Sequence, residues 1–407
     1  MKRQGYYEPR EDSFLLLEQI KKYSKGNVLD MGTGSGILAI ECARYAKHLV
    51  AVDINSGALK FAQENVRKRK IKNIEFRYSD LFSNVKGKFD LIIFNPPYLP
   101  RDRRLEEDKD IEGGKKGYEI IERFLYDANN YLKKNGKILL LFSSLTDKNK
   151  VDEFIDQNLF RAKTLSKEKL FFETLYVYLI EKSNILTKLE KVSNLRLHAK
   201  GKRGLIYSGL YKTEKVAVKI KEPKSKAVGR IRNEANYLKI VNKKGIGARL
   251  FTFTNDYIIM EFVDGMPILD FFDKNSERAI LSVIKQIFEQ LFVLDKLGIN
   301  KEEMHRPIKH IIITKNNKVV LIDAQNSKNS GISKTTKVVL IDFERAKKSN
   351  KTHNVTQFCQ FLVGGNVRQL LNKKGINISR KGVLEAARVY SKSKNKTQLD
   401  KILGLIG

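Results

Sequence analysis

The sequence has little cysteine and no long apolar run, and each shortage excludes a class of protein. Its two cysteines, Cys42 and Cys359, lie far apart and form no C-x-x-C pair, which excludes a disulfide framework and a cysteine-built zinc site. No stretch reaches the roughly 18 uncharged apolar residues of a membrane-spanning helix. The first residues, MKRQGYYEPRED, lack the apolar block of a signal peptide. We therefore expect a cytoplasmic protein without membrane contact.

The length and the charge indicate how the chain is organised. A chain of 407 residues exceeds what one hydrophobic core usually serves, so we expect two or three domains. Residues 1–182 contain 34 basic and 27 acidic residues, a net of +7, and the remaining 225 contain 44 and 19, a net of +25. Clustered cations favour phosphate surfaces. The second half therefore predicts RNA or ribosome contact, with a biased genome or a heat-adapted surface as the alternative explanation.

Hydrophobic patterning differs between the two halves. Residues 1–182 alternate continuous apolar runs with helical stretches, which predicts an α/β domain with a doubly wound parallel sheet. Residues 183–192 are expected to be a polar helical linker. Residues 193–407 place strands before helices and predict a separate α+β domain. Within it KVVLID occurs at 318–323 and again at 337–342, as a local duplication with a looped spacer would produce.

A glycine-rich turn follows the first predicted strand. It contains Asp30, Gly32 and Gly34 in the segment LDMGTGSG and precedes a helix. Glycines let a backbone approach a ligand, and a helix N-terminus favours a negative group. The next strand ends in Asp53, whose carboxylate could bind two ribose hydroxyls. Dinucleotide-binding enzymes have the same kind of glycine-rich turn, so the turn alone does not identify the ligand.

The segment Asn95-Pro96-Pro97-Tyr98 at the end of the fourth strand favours a methyl-transfer site over a dinucleotide site. The lone pair of an amide or aromatic NH2 is delocalised, so such a nitrogen must be held in position to react. The Asn95 side-chain oxygen and the Pro96 carbonyl can accept both hydrogens of a planar NH2, and Tyr98 can lie against its flat face. The third strand ends in Asp80 and Leu81, which could meet an adenine edge. The pattern predicts methyl transfer from a sulfonium to a planar nitrogen by positioning.

These motifs resemble the HemK-type protein glutamine methyltransferases over residues 1–182. The opening Y-E-P-R-E-D-S-F at 7–14 is similar to the Y-E-P-x-E-D-[ST]-F start of their archaeal and eukaryotic branch. The resemblance implies a Rossmann-like class I methyltransferase fold, with a seven-stranded, mostly parallel sheet and an antiparallel edge hairpin. It also implies S-adenosylmethionine bound by Ser13, Asp30, Gly32, Gly34, Asp53, Asp80, Leu81 and Asn95.

The same resemblance implies a substrate and a partner. The substrate is the glutamine of the G-G-Q motif in a class I peptide release factor, and Gly113, Gly114 and Gly117 match a G-G-x-x-G stretch expected on the substrate side. The implied partner is a small zinc-binding activator subunit. A nucleic-acid methyltransferase acting on adenine or cytosine remains the alternative, because such enzymes carry similar N-P-P-Y motifs. It is disfavoured because no target-recognition domain interrupts the first half.

The second half contains a set of residues suited to nucleotide phosphates. Gly201 and Gly204 lie between two predicted strands, Lys219 lies on the next strand, Glu234 lies on the following helix, and Asp342 ends an apolar strand. Their order predicts a phosphate-covering loop, a lysine that neutralises phosphates, its glutamate partner and a magnesium ligand.

This half resembles the small atypical archaeal kinases of the RIO and tRNA-modification-linked kind, over roughly residues 190–350. The resemblance implies a protein-kinase-like domain that binds ATP and Mg²⁺, with Asp342 as the metal ligand. In the segment HRPIKHII, Pro307 occupies the place of the usual catalytic aspartate. Either Lys309 and His310 serve an unorthodox mechanism, or the domain binds nucleotide without phosphorylating protein. The duplicated Asp323 is the less favoured metal ligand.

Overall fold

The computed structural model describes residues 11–97, 116–201, 204–221, 229–316 and 335–407. The chain forms two compact units. The first comprises residues 1–197 and 210–212, and the second comprises 198–209 and 213–407. The assignment of a methyltransferase domain to 1–182, a linker to 183–192 and a kinase-like domain to 193–407 remains a prediction.

The first unit alternates strands and helices along the chain. Its helices are α1 (Glu11–Tyr23), α2 (Ile37–Cys42), α3 (Ser56–Lys68), α4 (Glu119–Tyr131), α5 (Lys148–Gln157) and α6 (Asn184–Lys188). Its strands are β1 (Asn27–Met31), β2 (His48–Asp53), β3 (Ile74–Tyr78), β4 (Phe89–Phe94), β5 (Leu132–Ser143), β6 (Phe160–Lys169) and β7 (Thr174–Lys182). A further strand, β8 (Val192–Lys200), runs on into the second unit.

The seven strands form one sheet in the order β3-β2-β1-β4-β5-β7-β6. Strands β1 to β5 pair in parallel. Strand β7 pairs antiparallel with both β5 and β6, which makes the edge hairpin. The predicted Rossmann-like, mostly parallel sheet is therefore confirmed. The strand order reverses between β1 and β4, and ligands bind at such points in α/β sheets.

Both faces of the sheet are covered by helices. On one face Leu16 and Ile20 of α1 are fully buried against the strands. Each such side chain contributes roughly 1.5–3 kcal/mol by leaving water. On the other face the ring of Phe124 in α4 lies 5.4 Å from that of Phe82 and 4.5 Å from that of Phe94. These contacts hold the loop after β3 and the end of β4 in place.

The second unit places its strands before most of its helices, as predicted. Its strands are β9 (Gly204–Tyr211), β10 (Glu214–Lys221), β11 (Leu250–Phe253), β12 (Tyr257–Glu261), β13 (Met266–Pro267), β14 (Ile299–Asn300), β15 (Ile311–Asn316), β16 (Thr335–Leu340) and β17 (Lys347–Lys348). Its helices are α7 (Arg230–Asn242), α8 (Ile268–Lys274), α9 (Glu277–Lys296), α10 (Asn354–Leu362), α11 (Gly365–Lys373), α12 (Arg380–Ser393) and α13 (Lys396–Gly404).

A five-stranded sheet and a helical core make up this unit. The sheet has the order β11-β12-β10-β9-β8, and β10 and β12 pair antiparallel. Helix α9 buries Ile280, Ile284, Ile287 and Leu291 along one face, the spacing of an amphipathic helix. Small sheets β13-β15-β16 and β14-β17 complete the unit. None of the helices in the described ranges is long and apolar enough to cross a membrane.

Candidate functional site

A cavity of about 310 Å³ lies at the carboxyl ends of β1, β2 and β4 in the first unit. The carboxyl ends of parallel strands meet at one edge of a sheet, so residues far apart in sequence come together there. The predicted site residues that line this cavity are Ser13, Gly32, Gly34, Asp53, Asp80, Leu81, Asn95 and Pro96.

The glycine turn and Asp53 form one rim of the cavity. The backbone N–H of Gly34 donates to Oδ2 of Asp53 at 2.8 Å, and that of Asn55 donates to Oδ1 at 2.8 Å. Both carboxylate oxygens are thereby fixed at the end of β2. Gly36 has φ of 81°, and a Cβ there would lie 2.9 Å from Cβ of Ala62, so this turn needs glycine.

Asp30 lies beneath the turn and does not line the cavity. Its side chain is fully buried, and Oδ2 accepts a 2.6 Å hydrogen bond from Oγ1 of Thr33. Its Oδ1 has no hydrogen-bond partner in the ranges that the structure describes. Burial raises the pKa of the Asp30 carboxyl to about 7, although the Thr33 hydrogen bond opposes this. Its predicted direct contact with a cofactor therefore remains a prediction, and its position supports the turn.

The loop after β3 supplies a second rim. Asp80 is partly exposed, and its Oδ2 accepts a 2.8 Å hydrogen bond from Arg123 on α4. Leu81 follows with φ of 46°, a left-handed conformation that is uncommon for a leucine. The hydroxyl of Ser79 donates to the Leu81 carbonyl at 2.6 Å and holds this bend.

Asn95 is fixed by a residue that the sequence interpretation left out of the site. Its Nδ2 donates to Oδ2 of Asp12 at 2.9 Å. Its Oδ1 is buried and has no hydrogen-bond partner among the described residues. Asp12 is itself buried on α1, where the N–H of Ser13 donates to its Oδ1 at 2.6 Å. The E-D-S-F segment was the available signal for Asp12, although nothing in it indicates Asn95 as the partner.

Glu173 is a second cavity residue that was not predicted. It lies just before β7, and its buried Oε2 has no hydrogen-bond partner within the described ranges. Gly117 has φ of 87° and lies just before α4. The predicted residues Tyr98, Gly113 and Gly114 fall outside the described residues.

In the second unit the structure brings together most of the predicted nucleotide-binding residues. Nζ of Lys219 lies 2.7 Å from Oε2 of Glu234 and 3.2 Å from Oδ1 of Asp342. Gly204 lies beside the Lys219 side chain, since a Cβ there would be 3.8 Å from the Lys219 Cε. The Gly201 N–H donates to the Gly204 carbonyl at 3.0 Å.

The neighbouring carboxylates change the pKa of Lys219, and Lys219 changes the pKa of Asp342. Burial alone would lower the pKa of Lys219, but Glu234 and Asp342 reverse the effect, and the net pKa is raised. The pKa of Asp342 is lowered against the effect of burial, with Lys219 as the leading cause. Within the described ranges no group of three or more His, Cys, Asp or Glu side chains could hold a metal ion. The duplicated Asp323 lies outside these ranges.

Comparison with known proteins identifies the family of the first unit. Residues 10–172 match the family "Methyltransferase small domain". A provisionally named protein N5-glutamine methyltransferase of Methanocaldococcus jannaschii is 44% identical over 176 residues, which are 42% of this chain and 89% of the relative.

Two bacterial relatives match less of their own length. A release factor glutamine methyltransferase of Buchnera aphidicola subsp. Schizaphis graminum is 36% identical, over 32% of this chain and 53% of the relative. A ribosomal protein uL3 glutamine methyltransferase of Francisella tularensis is 33% identical, over 28% of this chain and 40% of the relative. The chain thus spans about half or less of these two proteins.

Among solved structures, the Mtq2–Trm112 complex of E. cuniculi, described as responsible for methylation of the eRF1 translation termination factor, contains a chain that is 25% identical to this one. The match covers 44% of this chain and 99% of that chain, with a TM-score of 0.36. The match to the M. jannaschii relative covers nearly all of that protein at 44% identity, and so the chain belongs, through its first unit, to the S-adenosylmethionine-dependent protein N5-glutamine methyltransferases.

Proposed function

We propose that the first unit methylates the side-chain amide nitrogen of the glutamine in the G-G-Q motif of a class I peptide release factor. One observation carries this proposal. The Oδ1 atom of Asn95 is buried at the cavity without a hydrogen-bond partner in the described part of the chain, while Asp12 holds the Nδ2 atom of the same amide. A buried acceptor needs a donor, and one N–H of a substrate amide supplies it.

The chemistry of this site is positioning. An amide nitrogen is planar and a weak nucleophile, so its NH2 must be held with one face toward the methyl group. The Oδ1 atom of Asn95 and the carbonyl of Pro96 accept its two hydrogens. S-adenosylmethionine, when bound, supplies a methyl group on a sulfonium. Holding reactants in a fixed geometry accounts for a large part of the rate in such reactions.

The residues around the cavity fit this cofactor. The fixed Asp53 carboxylate is suited to two ribose hydroxyls, because both of its oxygens are oriented by backbone N–H groups. The Gly32 and Gly34 turn lets the backbone approach the ligand, and Ser13 adds a hydroxyl at the cavity wall. Asp80 and Leu81 offer a polar and an apolar contact to the adenine.

Methyl transfer to a purified release factor tests the proposal. The full chain is incubated with labelled S-adenosylmethionine and release factor, and the modified residue is mapped by mass spectrometry. We expect methylation of the G-G-Q glutamine, none when that glutamine is replaced by glutamate, and a loss of at least about 100-fold for Asn95→Ala. Transfer at the wild-type rate by Asn95→Ala would refute the role of Asn95.

The alternative substrate is an adenine or cytosine amino group in a nucleic acid. It is favoured by the basic second half, which contains 44 basic and 19 acidic residues among its 225 residues. The same labelled donor is therefore offered to RNA and DNA. Label on nucleic acid, with none on the release factor, would replace the proposed substrate. A filter-binding salt titration tests RNA or ribosome contact separately, and a flat plot of log affinity against log salt would exclude it.

A small zinc-binding activator subunit is proposed as a partner of the first unit. Among the strands that the structure describes, β3 lies at one edge of the seven-stranded sheet, and Ile54 and Tyr78 nearby are each 59% exposed. An exposed edge strand offers unpaired backbone groups to another chain. Co-expression with such a subunit should raise methyl transfer, and Tyr78→Lys should weaken the association.

We further propose that the second unit is kinase-like and binds ATP with Mg²⁺. The support is the ion pair of Lys219 with the buried Glu234, with Asp342 against the same ammonium. A lysine paired with a helical glutamate and an aspartate at a strand end are the parts that protein kinases use for phosphates and metal. Calorimetric titration of the full chain with Mg·ATP tests it, and Lys219→Ala should weaken binding at least tenfold.

A further inference from the structure

The turn between β6 and β7 borders the cavity of the first unit. It comprises Leu170–Glu173, and the N–H of Leu170 donates to the Glu173 carbonyl at 2.8 Å. Strand β7 runs antiparallel to β5, and Leu175 near its start pairs with Ser143 at the end of β5. The start of β7 therefore lies at the same edge of the sheet as the carboxyl ends of the parallel strands. Leu170, Glu173 and Leu175 all line the cavity.

The order of the strands separates this turn from the residues suited to the cofactor. Gly32, Asp53 and Asp80 follow β1, β2 and β3, and these three strands lie on one side of β4. Asn95 follows β4 itself, and β5 and β7 lie on the other side. Glu173, at the start of β7, is thus two strands beyond the Asn95 amide. This places it in the part of the cavity that remains for the methyl acceptor.

The carboxylate of Glu173 lacks a donor. Its Oε2 atom is buried and has no hydrogen-bond partner among the described residues, and the Oδ1 atom of Asn95 in the same cavity is in the same condition. An ionised carboxylate can only accept hydrogen bonds, and a buried acceptor without a donor is costly for the folded protein. A ligand that satisfies both atoms has to present N–H donors at two separate places.

Backbone N–H groups of glycine are suited to the second place. The acceptor amide supplies the N–H for Asn95, and in the proposed G-G-Q motif two glycines come directly before the glutamine. Because glycine has no Cβ, a carboxylate can approach its backbone N–H closely. Hydrogen bonds from backbone N–H groups to a carboxylate are charge-assisted and therefore strong. A cationic side chain would also bind Glu173, but the motif contains none.

Two exposed aromatic rings lie between the two cavity residues of this turn. Phe171 is 92% exposed and Phe172 is 85% exposed, and their ring centroids lie 4.6 Å apart with the rings at 80°. Short hairpin loops favour glycine, asparagine and aspartate, so the conformation of the turn does not account for two phenylalanines. Exposed aromatic side chains next to a binding cavity are typical of contact sites for another protein.

We propose that the β6–β7 turn recognises the protein substrate. The Glu173 carboxylate accepts hydrogen bonds from the backbone N–H groups of the glycines that precede the acceptor glutamine. Phe171 and Phe172 pack against the release factor around that segment. The inference rests on the release-factor substrate proposed above and adds the residues that select a glutamine by what comes before it. Glu173 determines specificity and takes no part in the transfer step, since Asn95 and Pro96 hold the reacting nitrogen.

Steady-state methylation of the release factor by the full chain tests the role of Glu173. Glu173→Gln keeps the shape of the side chain and removes its charge. We expect KM for the release factor to rise about tenfold, because hydrogen bonds to a charged acceptor are stronger than those to a neutral one by about that factor in affinity. The kcat should stay within about threefold of the wild type, since the lost contact binds substrate and transition state alike.

Replacement of both rings tests the aromatic pair. The double variant Phe171→Ser with Phe172→Ser should also raise KM for the release factor about tenfold or more, as loss of aromatic contacts at a protein interface does. The affinity for S-adenosylhomocysteine, measured by calorimetry, should stay within about threefold of the wild type in this variant and in Glu173→Gln.

Two controls and a stability measurement separate recognition from a structural role. Glu168→Gln makes the same change of charge on β6 of the same hairpin, outside the described lining of the cavity, and should leave KM unchanged. Val389→Ser, at a 51% exposed apolar residue of α12, is the control for the aromatic pair. Because Oε2 of Glu173 has no donor within the described ranges, Glu173→Gln should not lower the thermal midpoint of unfolding.

The outcomes distinguish this inference from the proposed function. Failure of the wild-type chain to methylate the release factor overturns both. Methylation with an unchanged KM in Glu173→Gln, or in the double phenylalanine variant, overturns recognition by the turn and leaves the proposed function intact. A loss of S-adenosylhomocysteine affinity in Glu173→Gln, with KM for the release factor unchanged, assigns the carboxylate to the cofactor instead. A midpoint lower in Glu173→Gln than in Glu168→Gln shows that the carboxylate serves the fold and also overturns the inference.

Discussion

The carboxylate of Asp12 holds the side-chain amide of Asn95 by a 2.9 Å hydrogen bond between Oδ2 and Nδ2. This contact decides which end of the amide points away from α1. A carboxylate can only accept here, so the amide must present its NH2 to Asp12 and keep its oxygen for another donor. The orientation required of Asn95 is therefore built into the protein before any substrate is bound.

The first prediction follows from this contact. Asp12→Ala should lower methyl transfer about 100-fold, because Asn95 is then free to rotate and a misplacement of about 1 Å costs that much. The rate constant at saturating substrate should fall, while the affinity for S-adenosylhomocysteine, measured by calorimetry, stays within about threefold of the wild type.

Glu18→Ala is the matched control for this prediction, because Glu18 is an exposed carboxylate on the same helix. It should leave both quantities unchanged. A loss of cofactor affinity equal to the loss of rate in Asp12→Ala would contradict the orienting role and indicate that the variant damages the whole cavity.

The second prediction concerns the charge of Asp53. Asp53→Asn keeps the shape of the side chain and removes the negative charge that is suited to ribose hydroxyls. Hydrogen bonds to charged groups contribute about 1.5–3 kcal/mol, so the affinity for S-adenosylmethionine should fall roughly 10- to 100-fold. Calorimetric titration measures the change. Glu64→Gln, which alters an exposed glutamate on the neighbouring α3, is the control, and an equal effect there would refute the assignment.

Much of the first site was predictable. The spacing of the hydrophobic residues predicts the sheet, and the ends of its strands predict where the site residues lie. The continuous apolar strands predict a parallel sheet, and residues at strand ends such as Gly32, Asp53 and Asn95 must then share one edge. Asp12 was not placed in the site, because its partner is 83 positions away and no local pattern encodes that contact. Asp30 was predicted as a ligand residue, but burial beneath the turn depends on packing that the sequence pattern does not specify.

In the second unit, the order and spacing of the motif residues predicted only part of the charged cluster around Lys219. Lys219, Glu234 and Asp342 were predicted from their order, and they lie together. The Lys219 ammonium also lies 3.2 Å from Oε2 of Glu344, a contact that the order of the motif residues did not indicate. Glu303 and Asp342 also have left-handed backbone conformations, with φ of 61° and 62°, and such conformations have no clear sequence signature in residues other than glycine.

The third prediction is a pH dependence set by Asp30. Its pKa is raised from 3.8 to about 7 in the folded state. Between these values the folded state holds a proton that the unfolded state has lost, so stability falls as pH rises from about 4 to 7 and then levels off. Asp30→Asn should remove this slope. Hydrogen-exchange protection of β1 amides, corrected for intrinsic rates, measures it, and an identical slope in the variant would contradict the assignment.

The fourth prediction concerns Lys301. The pKa of its ammonium is lowered from 10.5 to about 8, so the cost of burying the charge is fully present below pH 8 and fades as pH rises to 10.5. Lys301→Met should therefore stabilise the second unit at pH 7 by up to about 3 kcal/mol, with a smaller gain at pH 10. Exchange protection of α10 amides reports the change. Lys296→Met, at an exposed position, should have little effect, and a destabilised Lys301→Met would refute the burial cost.

The last prediction concerns a buried carboxylate that joins three helices of the second unit. Oδ1 of Asp295 accepts from Nδ2 of Asn354 at 2.8 Å, and Oδ2 accepts from the Tyr390 hydroxyl at 3.0 Å. Asp295→Ala removes the acceptor of the buried Tyr390 hydroxyl and one of the two acceptors of Asn354 Nδ2, the other being the Ile299 carbonyl, and should cost about 3 kcal/mol or more. Tyr390→Phe removes one hydrogen bond and should cost only about 1 kcal/mol. Exchange protection of α12 amides compares the two, and equal costs would show that Asp295 does not join these helices.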